Sequence, residues 1–91
     1  MVDFGLAHQR EVVWTYHALK RIEQSGGELE YMFNLLKKSP EITLSLKDRR
    51  KKHKYGPDQQ SFVYYWDSTE RTLFTCKKEG GKLFVITVTQ K

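Results

Sequence analysis

Cys76 is the only thiol in 91 residues, so no internal disulfide can form. Small secreted domains usually rely on several disulfides, and their lack here points to a reducing compartment and a cytoplasmic location. No stretch approaches the roughly 20 apolar residues of a membrane span. Met1 to Arg10 include Asp3 and lack the apolar run of a signal peptide, so no membrane association is expected. No glycine-rich phosphate loop follows a strand, and there is no nucleophile elbow. Three scattered histidines and one cysteine provide no metal-ligand spacing, so neither a metal nor another cofactor is expected. Repeats, linkers and low-complexity segments are also missing. The length suits one domain over residues 1–91 and is too short for two cores.

What is present is a core-forming composition with a basic excess. Hydrophobic residues make up 38% of the chain and aromatic residues 13%, enough to bury an apolar interior. The net charge of +5 favours polyanionic partners, RNA among them.

Local patterns divide the chain. Glu11 to Trp14 reads as a short strand or as the first turn of a helix. Thr15 is a candidate N-cap, because its hydroxyl can accept from an orphan amide of the next turn. Thr15, Ala18, Leu19 and Ile22 then share one helical face, while His17, Lys20 and Arg21 cluster opposite. Ser25-Gly26-Gly27 ends this helix. A second helix over 28–38 carries the apolar stripe Leu29, Met32, Phe33 and Leu36. Its acids lie at the start and Lys37 and Lys38 at the end, an order that suits the helix dipole, and Pro40 stops it.

Beyond Pro40 the period changes from 3.6 to 2. Ile42, Leu44 and Leu46 alternate with polar residues as in a half-buried strand. Further strands are read over 61–66, 71–77 and 82–89, the last two joined by the Glu79-Gly80-Gly81 hairpin signal. Phe62, Trp66, Phe84, Ile86 and Val88 are assigned to the core, and only one of Tyr64 and Tyr65 is expected to be exposed. The fold class that follows is α+β, with two helices packed on one face of an antiparallel sheet of about four strands.

Three groups of residues could carry chemistry. On the first helix, His17 can move protons near neutral pH, and Lys20 and Arg21 could hold a phosphate beside it. The competing reading is an ordinary solvated helix face. Residues 47–54 hold six cations in eight positions. Arg49, Arg50, Lys51, Lys52, His53 and Lys54 could ride a phosphate backbone, or belong to a solubilising loop. Tyr64, if exposed on an open sheet face, could stack on an unpaired base.

The string Thr15-Tyr16-His17-Ala18-Leu19-Lys20-Arg21-Ile22, a second helix and the terminal Phe84-Val85-Ile86-Thr87-Val88-Thr89 together resemble the barnase–EndoU–colicin–RelE superfamily of small ribonuclease toxins. The resemblance spans about residues 11–91. It implies that His17, Arg21 and Thr87 surround a scissile phosphate in metal-independent RNA cleavage, and that an acidic antitoxin or inhibitor is a possible partner. The basic stretch 47–54 is denser than the family pattern. The alternative is a non-catalytic accessory protein of phage or mobile-element origin that binds nucleic acid or an acidic protein. Convergence of His17, Arg21 and Thr87 on one concave spot would favour the enzyme.

Overall fold

A computed structural model describes residues 2–43 and 62–90. They form six strands and two helices: β1 (Val2–Ala7), β2 (Arg10–Trp14), α1 (Tyr16–Gln24), α2 (Leu29–Lys38), β3 (Glu41–Ile42), β4 (Phe62–Asp67), β5 (Thr72–Glu79) and β6 (Lys82–Gln90). The strands make one sheet in the order β1-β2-β6-β5-β4-β3, with the helices packed against one face. The α+β class holds. The expected sheet of about four strands is corrected to six among the described residues. The expected purely antiparallel pairing is corrected too, because β2 runs parallel to β6, with Val12 opposite Leu83 and Trp14 opposite Val85.

The two N-terminal strands explain the shortfall. β1 lies in a stretch with no readable period, since its register slips between Phe4 and Leu6. Gly5 sits at that bulge with φ +51, and a Cβ there would stand 2.9 Å from Cζ of Phe33 on α2. Only glycine allows both the left-handed backbone and the approach of that ring. His8 and Gln9, also at positive φ, close the β1–β2 hairpin. Gly80 and Gly81, both at positive φ, close the β5–β6 hairpin where the sequence signalled it.

The helices follow their periodicity. Thr15 caps α1, and its side chain accepts from the Ala18 amide at 3.3 Å. α1 lies along β6, burying Ala18 and Ile22. α2 lies between β1 and β4 and buries Met32, Phe33, Leu35 and Leu36. Their main core includes Val12, Trp14, Tyr65, Phe74, Cys76, Leu83, Val85 and Val88. Cys76 is fully buried there, which pushes its thiol pKa well up and leaves it a packing residue.

β6 departs from simple alternation. Cys76 pairs with Val85 but Thr75 with Thr87, so Ile86 is an extra residue in the ladder. Before this bulge Leu83 and Val85 face the helices, and after it Val88 does. The expected inward set of Phe84, Ile86 and Val88 is therefore corrected: of the three, only Val88 belongs to the helix-side core. Ile86 packs on the other face, where Phe62, Tyr64 and Leu73 form a second cluster with Ile42 and Trp66. Phe62 and Trp66 thus pack away from the helices.

Of the strand expected from Ile42 to Leu46, only its start is described, as β3 paired with β4. The basic run with Arg49, Arg50, Lys51, Lys52, His53 and Lys54 lies outside the described residues. No helix among the described residues is long and apolar enough to cross a membrane.

Candidate nucleic-acid interface

The position of α1 is set by Thr15. Its amide donates to the Val85 carbonyl at 3.3 Å, prolonging the β2–β6 ladder by one residue. Its hydroxyl donates to the same oxygen at 2.8 Å, with Ile86 O at 3.3 Å as a weaker second acceptor. One side chain therefore starts the helix and ties it to the bulge in β6. At 100° per residue, the turn of an α-helix, Tyr16, Lys20, Gln24, His17 and Arg21 then fall within an arc of about 140°, opposite Ala18 and Ile22.

All five of these side chains are exposed. His17, Lys20, Arg21 and Gln24 line one open hollow of about 290 Å³. Neither Lys20 nor Arg21 is ion-paired within the described residues, whereas Lys78 is held by Glu41 at 3.1 Å and Lys82 by Glu11 at 3.2 Å. Two uncommitted cations, a histidine and a carboxamide can together satisfy the oxygens of a phosphate.

Thr87 and Tyr64 are not drawn into this hollow. Thr87 pairs with Thr75, whose neighbours Phe74 and Cys76 both face the helices. Thr75 and Thr87 therefore point to the opposite side of the sheet. The expected convergence of His17, Arg21 and Thr87 does not occur, because the extra residue at Ile86 turns Thr87 away from the face Val85 occupies. Tyr64 is corrected as well. It is 1% exposed within the second cluster and offers no ring face to a base, and Tyr65 is equally buried.

Tyr16 is the residue that sequence reasoning passed over. It is 76% exposed, one turn before Lys20 on the same side of the helix. The signal was available, since Tyr16 stands outside the stripe of Thr15, Ala18, Leu19 and Ile22. Gln24 extends the same face by one further turn.

Charge is unevenly divided along the chain. The described residues hold as many Asp and Glu as Lys and Arg, so the net charge of +5 is carried entirely by 44–61 and Lys91. The described residues are neutral as a set, and the α1 face is a local cationic patch among them.

At the other end of the helical layer, His8 joins the hairpin tip to α2 and β4. Its Nε2 is 2.8 Å from the Leu36 carbonyl, and its ring stacks on Tyr65 at 4.2 Å. The Tyr65 hydroxyl donates to Glu41 Oε1 at 3.3 Å, and Lys78 shares that oxygen. The Lys78 ammonium holds the Glu41 carboxyl below its usual range. These contacts fasten the curled β1–β2 hairpin over α2. Among the described residues, no group of three potential metal ligands comes together.

No known protein family matches the chain, and no curated protein or solved structure is significantly similar to it.

Proposed function

We propose that this chain binds the phosphate backbone of RNA through the exposed face of α1 and does so without cutting it. The observation that carries this reading is the shared hollow of His17, Lys20, Arg21 and Gln24, with both cations unpaired within the described residues. On a rigid helix, the cations three and four positions after His17 present a fixed pair of phosphate contacts beside it. The excess charge of residues 47–54 adds sequence-independent attraction for the same polymer.

Binding is favoured over cleavage on chemical grounds. Attack by a ribose 2′-hydroxyl needs one group to remove a proton and another to protonate the leaving oxygen. His17 is the single imidazole among the described residues lining the hollow, and Thr87 lies across the sheet. A bound phosphate needs neither group.

The test is a salt series of RNA affinity with the whole chain. On a single strand, Lys20→Ala with Arg21→Ala should reduce the slope of log K against log salt by roughly 0.7 per lost contact. Neutralising Arg49, Arg50, Lys51 and Lys52 together should flatten it further. An unchanged slope in the Lys20/Arg21 variant moves the site off α1. Labelled total RNA incubated with excess protein in EDTA should stay intact, and cleavage that disappears in His17→Ala would restore the catalytic reading. Failure to bind RNA at low salt, with binding to an acidic protein instead, would replace the nucleic acid as partner.

A further inference from the structure

The hollow on α1 does not end at Gln24. Arg21 and Gln24 also line a second depression, of about 280 Å³, whose far wall is Ser25, Val88 and Gln90. Ser25 and Gln90 in turn belong to a third, of about 410 Å³, that passes the turn between the helices and reaches Tyr31 and Met32. Adjacent depressions share wall residues, so together they make one open track from α1 to the first turn of α2.

Tyr31 lines the third depression, and Tyr16 stands one helical turn before Lys20, just beyond the first hollow. Tyr16 is 76% exposed and Tyr31 46%, an unusual placement for large rings on a domain that buries Tyr64 and Tyr65. The cations lie between them and nearer Tyr16. The Tyr31 end is acidic: Glu28 lines the same depression, and the nearby Glu70 carboxylate, with Asp67, pushes the Tyr31 hydroxyl up. Carboxylates repel phosphate but accept hydrogen bonds from the amino groups on base edges. That end suits a base rather than backbone.

We propose that the track takes single-stranded RNA, with Tyr16 and Tyr31 stacking on unpaired bases at its two ends and Lys20 and Arg21 holding the phosphates between. The inference rests on the phosphate-binding reading and narrows its ligand class. An exposed tyrosine can stack on a base only if the base is unpaired, because a duplex hides the faces of its bases. From Tyr16 to Gln24 the helix rises about 12 Å, a span that separates the stacking position from the second depression.

The experiment measures fluorescence anisotropy of the full chain against a labelled 12-nucleotide single-stranded RNA, the same sequence as a blunt duplex, and inorganic polyphosphate as a base-free competitor. Single-stranded RNA should bind more tightly than the duplex. Tyr16→Ala and Tyr31→Ala should each weaken single-stranded binding by about five- to a hundredfold, the range of one stacking contact, and change polyphosphate competition less than about twofold. Tyr16→Phe should retain binding, since the ring and not the hydroxyl does the stacking. Tyrosine variants that bind the single strand like the parent, or that lose RNA and polyphosphate equally, overturn the inference while leaving the phosphate site standing. A parent protein that binds neither RNA nor polyphosphate overturns both readings.

Discussion

Removing the hydroxyl of Thr15 tests whether one side chain both starts α1 and anchors it to the sheet. In Thr15→Ala the Ala18 amide loses its acceptor, a loss that typically costs about 1 kcal/mol at a helix N-cap. The Val85 carbonyl loses the 2.8 Å hydroxyl donor but keeps the Thr15 amide at 3.3 Å, since that donor is backbone. Ile86 O loses its weaker contact at 3.3 Å. A neutral hydrogen bond of this kind contributes about 0.5–1.5 kcal/mol net. The sum is about 1.5–2.5 kcal/mol, or a fall in Tm of roughly 6–20 °C for a domain of this size. Urea unfolding followed by circular dichroism and by tryptophan fluorescence reads the change, with an unaltered denaturant slope if the native fold persists. Thr15→Ser keeps the oxygen and drops only the methyl, so it should recover most of the loss. A cost below about half a kcal/mol for the alanine variant would refute the double role, and so would a serine variant as unstable as alanine.

Gly5→Ala should destabilise by about 1.5–3 kcal/mol, because alanine is strained at φ +51 and its Cβ meets the Phe33 ring at 2.9 Å. Pairing it with Phe33→Leu in a double-mutant cycle should recover part of that cost, and strict additivity would mean that the ring is not what the glycine accommodates. Burial, reinforced by the Glu41 charge, pushes the Tyr65 hydroxyl up to about 12 from an ordinary value near 10. The folded chain therefore holds this proton more tightly than the unfolded one. That contribution to stability is fully present below about pH 10 and is lost as pH rises towards 12. Tyr65→Phe should flatten the fall in stability across that window, and identical slopes for the two proteins in alkaline urea titrations would refute the assignment.

The sequence alone determined what is local. The helices were legible because the 3.6-residue period, the Thr15 cap and Pro40 act within a few positions of one another. The β4–β6 meander was legible because alternation and the Gly80-Gly81 turn are equally short-ranged. So was the cationic face of α1, since residues on one side of a helix are fixed by spacing. Leu35 was missed because α2 is covered on a broader arc, by both β1 and β4, than a single stripe records. Tertiary structure alone decided the rest. β1 hides its period behind the bulge at Gly5, which exists to admit a ring from α2. The parallel pairing of β2 with β6 joins segments about 70 residues apart and leaves no local signature. Thr87 shows the consequence for function. Had β6 alternated without interruption, Thr87 would share the face of Val85 beneath α1. A single extra residue at Ile86 sends it to the other side, because a strand's side chains change face with every residue added.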